Sequence, residues 1–118
     1  MSMSQRDELF HIEDMLDYAR YALEFVEGRV ANDIQTDRQL AFALVRALEV
    51  IGESASRVPK TYRARYPQIP WGQIVGMRNV LIHGYTKIDY ELIWDVTVDQ
   101  LPRLVEQLEA ILEEEVSE

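Results

Sequence analysis

Three segments of this 118-residue chain carry apolar residues three and four positions apart, the spacing of one buried helical face. The first runs roughly from Ser4 to Gly28, the second from about residue 36 to Val58, and the third from Asp89 towards the C-terminus. Their inner faces comprise Leu9, Ile12, Leu16, Ala19, Leu23 and Val26; Ala41, Leu44, Leu48, Ile51 and Ala55; and Ile93, Thr97, Leu101, Leu104, Leu108 and Ile111. A shorter helix is predicted between Pro70 and Gly84. The sequence therefore predicts an all-α four-helix bundle, folded as one domain over residues 1–118.

Local signals refine the ends of these helices. The sequence TDRQ at residues 36–39 has the form of a capping box, with the hydroxyl of Thr36 as its cap. Pro59 cannot continue the second helix, so the proline-rich and basic stretch from Pro59 to Pro70 is predicted to be a short loop or a single helical turn. Pro102 is expected to bend the last helix. The sequence LIWDVTV at residues 92–98 also suits a strand, but no other segment offers it a pairing partner, so we favour a helix.

Composition excludes several kinds of chemistry. The chain has no cysteine, which rules out disulfides, thiolate catalysis and cysteine-ligated zinc. Its two histidines are far apart in sequence, so neither a metal site nor a cofactor is expected. No apolar run approaches the roughly 20 residues that span a bilayer, and the first residues lack a basic region followed by an apolar one. We therefore expect a cytoplasmic protein that does not contact membranes.

Charge is distributed unevenly along the chain. The net charge is −9, but residues 54–88, here called the acid-free segment, contain six basic residues and no Asp or Glu. The same segment holds Tyr62, Tyr66, Trp71 and Tyr85, and cations interleaved with aromatic rings suit phosphates and unstacked bases. The alternative is a basic surface that meets acidic helices of the same fold or of a partner. Charge alone favours this alternative.

The stretch MRNVLIHGY, residues 77–85, gathers Arg78, Asn79, His83 and Tyr85. On a continuous helix His83 is rotated by about 140° from Arg78, so the two converge only if the helix ends there or a second chain contributes. Gly84 is a natural stop, which places His83 in the last turn and Tyr85 just outside it. The alternative is structural, because the helix dipole favours a histidine in the last turn. The residues by themselves favour this structural role.

The stretch RNVLIHGY resembles the Arg-x-x-x-x-His-x-Tyr motif of the HEPN superfamily, in the compact form of the HepT toxin that is partnered with the minimal nucleotidyltransferase MntA. Two flanking stretches support the resemblance: ALEVIGESASRVP at residues 47–59 and YPQIPWGQIVGMRN at residues 66–79. Both resemble the second helix of the family and its approach to the motif. The resemblance covers nearly the whole chain.

The resemblance implies a helical homodimer whose two motifs meet in a cleft and cleave RNA without a metal. His83 would act as general base or acid, Arg78 would hold the scissile phosphate, and Asn79 would orient a phosphate oxygen or the histidine. The basic residues proposed to guide the RNA backbone are Arg57, Lys60, Arg63 and Arg65.

The resemblance also implies control by a partner. Tyr85 would accept AMP from a cognate MntA-like nucleotidyltransferase antitoxin, and the added nucleotide would block the cleft. A different class of function stays open, in which the chain is a non-catalytic helical module that docks the nucleotidyltransferase or supplies its substrate. Turnover separates the two hypotheses, because both predict binding.

Overall fold

The computed structural model describes the backbone of residues 3–80, 82–83 and 87–117, and the side chains of residues 6–77 and 87–115. The helices are α1 (Met3–Val26), α2 (Asp33–Thr36), α3 (Arg38–Arg57), α4 (Lys60–Arg63), α5 (Trp71–Val80), α6 (Tyr90–Asp95) and α7 (Leu101–Ser117). A π-helical turn, Val96–Gln100, joins α6 to α7. Strands β1 (Ile82–His83) and β2 (Lys87–Ile88) form a two-residue antiparallel pair. The all-α prediction is confirmed.

Four helical units make the bundle: α1, α3, α5 and the continuous rod from α6 to α7. Helix α1 packs against α3 on one side and α7 on the other, and α5 packs against α3. The predicted inner faces of the second and fourth helices are buried at every position, and in α1 the buried face also takes in Met15 and Ala22. Most of these side chains belong to one hydrophobic cluster, which α5 joins through Trp71, Ile74 and Met77. Leu23 and Val26 of α1 are half-buried and pack against it.

The start of α3 differs from its predicted form. Asp37, not Thr36, is the N-cap, and its carboxylate accepts a hydrogen bond of 3.1 Å from the backbone N–H of Leu40. The hydroxyl of Thr36 instead donates to the carbonyl oxygen of Asp33, 3.3 Å away, because α2 occupies residues 33–36 and places Thr36 inside a helical turn. A carboxylate also suits the positive end of a helix.

The fourth helix begins where the sequence predicts and contains an irregularity near Pro102. The carboxylate of Asp89 caps α6 by accepting from the N–H of Leu92 at 3.1 Å. Pro102 has no N–H to donate to the carbonyl four residues before it, and the backbone widens into the π-helical turn just ahead of it. Within this turn the N–H of Leu101 donates to the carbonyl oxygen of Val96. The hydroxyl of Thr97, fully buried, donates to the carbonyl oxygen of Ile93 at 2.8 Å.

Helices α3 and α5 lie close together at Gly52. A Cβ atom at this position would lie 3.0 Å from the carbonyl oxygen of Ile74, a distance that real Cβ atoms rarely show. The absence of a side chain on Gly52 therefore sets how closely α5 packs against α3. Because α5 ends at Val80, this contact also positions the backbone that carries Arg78.

Among the described residues, no helix is both long and apolar enough to span a bilayer.

Candidate functional site

The motif stretch begins on a helix and continues into a reversal of the chain. Arg78 and Asn79 lie in the last turn of α5, which ends at Val80. His83 lies on β1, so the prediction that it occupies the last helical turn is wrong. The β-branched residues Val80 and Ile82 favour extended backbone over a further helical turn, which explains the early end of the helix. The rotation of 140° expected on a continuous helix therefore does not apply here.

The reversal after His83 is a short antiparallel pairing. Ile82 lies opposite Ile88, and His83 lies opposite Lys87. Because the pairing is antiparallel, the direction of the backbone reverses between His83 and Lys87, as the sequence predicts. Tyr85 lies outside the described residues, and the side chains of Arg78, Asn79 and His83 lie outside them too. The structure thus gives the backbone of Arg78, Asn79 and His83, while the contacts among the four side chains of the motif stay predictions.

The basic residues before α5 divide into two groups. Lys60 is exposed in the first turn of α4. Arg57 is also exposed, and its Nε atom lies 3.2 Å from the carboxylate of Glu53 one turn earlier on α3. An exposed ion pair of this kind contributes little to stability and yields readily to another anion. Both side chains are exposed, as their predicted contact with an RNA backbone requires.

Arg63 has a structural role. Its Nε atom donates to the carbonyl oxygen of Val58 at 2.7 Å, and Nη2 donates to that of Ser56 at 3.1 Å. These carbonyls lie at the C-terminal end of α3, where backbone oxygens have no partner within the helix. The guanidinium group thus holds α4 against the end of α3.

Arg65 belongs to a cluster that ties the C-terminal end of α7 to the acid-free segment. The hydroxyls of Tyr62 and Tyr66 donate to the same carboxylate oxygen of Glu115, at 2.9 and 2.7 Å. The Nη2 atom of Arg65 lies 3.3 Å from that oxygen, and its guanidinium carbon lies 5.2 Å and 5.7 Å from the two ring centroids. The Nε1 atom of Trp71 donates to the carbonyl oxygen of Tyr66, which links the cluster to α5. We call Tyr62, Arg65, Tyr66 and Glu115 the C-terminal clasp.

Burial and hydrogen bonding shift the pKa values within the C-terminal clasp. Burial, followed by the hydrogen bond to Glu115, raises the pKa of Tyr66 to about 12 and that of Tyr62 further still. The hydrogen bond from Tyr66 lowers the pKa of Glu115, and the bond from Tyr62 and the charge of Arg65 add to this effect. Part of the acid-free segment therefore meets an acidic helix of its own fold, as the alternative reading of the charge pattern expects.

Replacing Glu115 with alanine is expected to lower the free energy of unfolding by about 1–3 kcal/mol, because two buried phenol hydroxyls lose their acceptor. Because the pKa of Glu115 is lowered, wild-type stability should fall as the pH drops below 4.5, the ordinary value of a glutamate. It should also fall between pH 10 and about 12, because unfolded tyrosines ionise near pH 10 and Tyr66 near 12. Urea denaturation at several pH values measures both effects. Glu114→Ala, exposed on the same turn, is the matched control, and equal stability of the two variants would contradict the role of Glu115.

A cavity of about 370 Å³ lies between α5, the π-helical turn and α7. The sequence did not predict this cavity, because its walls come from segments about 30 residues apart. Most of its polar lining residues are glutamines, which are common on any helical surface. Its lining includes Gln68, Gln73, Ile74 and Met77 on the side of α5. The cavity thus adjoins the helix on which the motif begins.

The all-helical bundle and the motif at the end of α5 together define a domain of the HEPN class. The chain matches the family model described as "Ribonuclease HepT-like" over residues 15–111, and it belongs to that family.

Three relatives illustrate the family. A protein of Methanocaldococcus jannaschii named "Putative RNase MJ1380" is 34% identical over 92% of this chain and 100% of its own length. One of Caldanaerobacter subterraneus named "Putative RNase TTE0752" is 36% identical over 89% of this chain and 94% of its own. One of Thermococcus cleftensis named "Probable ribonuclease HepT" is 31% identical over 94% of this chain and 98% of its own. No solved structure matches the chain.

Proposed function

We propose that this chain is a metal-independent endoribonuclease that acts as the toxin of a toxin–antitoxin pair. The observation that carries the proposal is membership of the HepT-like ribonuclease family over residues 15–111, a range that contains the entire motif. The exposed cations Arg57, at the end of α3, and Lys60, at the start of α4, support it, because they offer an RNA backbone a sequence-independent attraction.

Cleavage requires two proton transfers. A base removes the proton of the ribose 2′-hydroxyl, whose oxygen attacks phosphorus, while an acid protonates the departing 5′-oxygen. The products are a 2′,3′-cyclic phosphate and a 5′-hydroxyl. Histidine suits either duty, because an imidazole exchanges protons readily near neutral pH. Two copies of His83 in the cleft of a homodimer would supply both groups, with Arg78 on the phosphate and Asn79 orienting it or the histidine.

Cleavage of a labelled RNA by the purified protein in excess EDTA tests the proposal. We expect 2′,3′-cyclic phosphate ends, in a yield that is independent of added Mg²⁺. Protein whose mass shows no modification, and which binds a nucleotidyltransferase partner but cleaves no RNA, would instead identify a non-catalytic helical binding module. This second candidate rests on the pairing of basic and acidic surfaces that the C-terminal clasp exemplifies.

Regulation by a nucleotidyltransferase antitoxin is the second half of the proposal. The phenol oxygen of Tyr85 would bond to the α-phosphorus of ATP, pyrophosphate would leave, and the phenolic proton would pass to solvent. The bound AMP would bring a phosphate and a base to a cleft that otherwise holds those of RNA. Addition at this position would therefore prevent cleavage without unfolding the bundle.

Co-expression with an active MntA-like nucleotidyltransferase is expected to add one AMP to the peptide that contains Tyr85 and to abolish cleavage. Peptide mass spectrometry locates the modification. Tyr85→Phe should prevent it, whereas Tyr90→Phe, five residues on and partly buried, should not. An unmodified Tyr85 after co-expression, or AMP found on another tyrosine, would refute the assignment.

A further inference from the structure

The cavity between α5 and α7 has an apolar floor. Ile74, Met77, Leu101 and Leu104 contribute to it, each no more than 8% exposed. Its volume of about 370 Å³ lies at the lower end of the range of roughly 300–1,000 Å³ typical of small-molecule sites. It suits a single planar ring system far better than a folded nucleic acid.

The rim of the cavity is rich in amides. Four glutamines line it: Gln68, Gln73, Gln100 and Gln107. Each side-chain amide offers both donors and an acceptor, which is the complement of the edge of a nucleobase. The Nε2 atom of Gln107 donates to the backbone carbonyl of Gln68 at 3.1 Å, so this part of the rim is already ordered.

Charge indicates which part of a nucleotide the cavity suits. Among the described lining residues, Arg103 is the one cation, and the nearby lining residue Asp99 offsets its charge. A phosphate would need a net positive lining, whereas an uncharged base needs an apolar surface and hydrogen-bonding edges. The cavity therefore favours a base over a phosphate.

The position of the cavity relates it to the motif. Met77 lies in its floor, and the backbone of Arg78 follows directly in α5. One residue of helix advances about 1.5 Å, so the floor of the cavity is adjacent in α5 to Arg78, whose side chain is proposed to hold the scissile phosphate. A base next to that phosphate lies within reach.

We propose that this cavity binds one base of the RNA, adjacent to the cleaved phosphate, and that it sets a base preference for cleavage. The inference rests on the proposed ribonuclease function and adds a specificity site to it. Stacking on the apolar floor supplies affinity, and the glutamine rim distinguishes one base from another.

Binding is tested apart from cleavage with 2′-O-methyl RNA tetranucleotides, in which the attacking hydroxyl is blocked. Methyl NMR should show shifts at Ile74, Met77, Leu101 and Leu104, with Ile12 of α1 unchanged. Gln73→Ala and Gln100→Ala should each weaken binding about five-fold, the loss expected of one hydrogen bond. Gln39→Ala, exposed on α3, is the matched control and should bind as the wild type does.

Cleavage of RNAs that differ in the one flanking base completes the test. The wild type should prefer one base, Gln73→Ala and Gln100→Ala should reduce that preference, and Gln39→Ala should keep it. Tetranucleotide binding without any cleavage would sustain the base site and refute the nuclease. Cleavage with a base preference that both variants retain would refute the base site alone. Shifts of the same methyls on dilution of the protein, without RNA, would identify a contact between two copies and overturn the inference.

Discussion

His83→Ala is expected to reduce metal-free RNA cleavage by about 10²–10⁴-fold, the range that a single general acid or base contributes. The loss should appear in kcat rather than in KM, because the imidazole is proposed to transfer protons in the transition state and not to bind the substrate. Single-turnover cleavage in excess EDTA measures it. If two copies of His83 serve as base and acid, the wild type should also show a bell-shaped dependence of rate on pH.

The chain supplies its own control for this experiment. His11 is the other of the two histidines in the sequence and lies partly buried on α1. His11→Ala should leave the rate unchanged apart from any loss of folded protein, which circular dichroism reports. Undiminished cleavage by His83→Ala, or an equal loss in both variants, would remove His83 from the mechanism.

Gly52→Val is expected to cost about 3 kcal/mol of unfolding free energy and to reduce cleavage by up to about 10²-fold per folded molecule. A Cβ at this position already meets the carbonyl oxygen of Ile74 at 3.0 Å, and valine adds two methyl groups. A backbone atom cannot rotate away as a side chain can, so α5 itself must move and carry Arg78 with it. Urea denaturation and single-turnover cleavage measure the two effects separately.

Gly72→Ala is the matched control, because a Cβ at this position of α5 meets nothing within 4 Å. It should leave cleavage intact and raise stability slightly, by up to about 1 kcal/mol, as alanine replaces glycine within a helix. If Gly52→Val were as stable and as active as Gly72→Ala, the close approach of α3 and α5 would have no role in positioning the motif.

Much of the bundle could be predicted because helical spacing is a local property of the sequence. The buried positions of α3 and of the fourth helix follow from spacings of three and four, and Asp89 acts as the cap that its side chain predicts. It was harder to predict which of two neighbouring residues would form the N-cap of α3. Thr36 and Asp37 both suit an N-cap, and the presence of α2 decided between them.

The site was less predictable, because its features depend on contacts distant in sequence. Nothing near Arg65 reveals that Glu115 pairs with it, or that Arg63 satisfies the carbonyls at the end of α3. The sequence predicted that α5 would continue to Gly84, because glycine commonly ends a helix. The helix ends earlier, at Val80, where β-branched residues favour extended backbone. The motif residues were found through the family pattern, and the cavity beside them through the fold alone.

The π-helical turn has a consequence for how the chain tolerates changes in length. Each four-residue step on a regular α-helix drifts by about 40°, so Ile93, Thr97 and Leu101 would spiral away from one face. The wider turn at Val96–Gln100 reverses this drift and keeps them aligned with Leu104. Such a turn takes up one extra residue within a helix, so deleting one residue here would restore a regular helix and keep the apolar side of α7 towards the bundle. Deleting one residue from a regular part of the same helix would instead rotate everything after it by about 100°. Homologous chains of this fold should therefore accept the loss of one residue between Asp95 and Leu101 more readily than a loss elsewhere in the fourth helix.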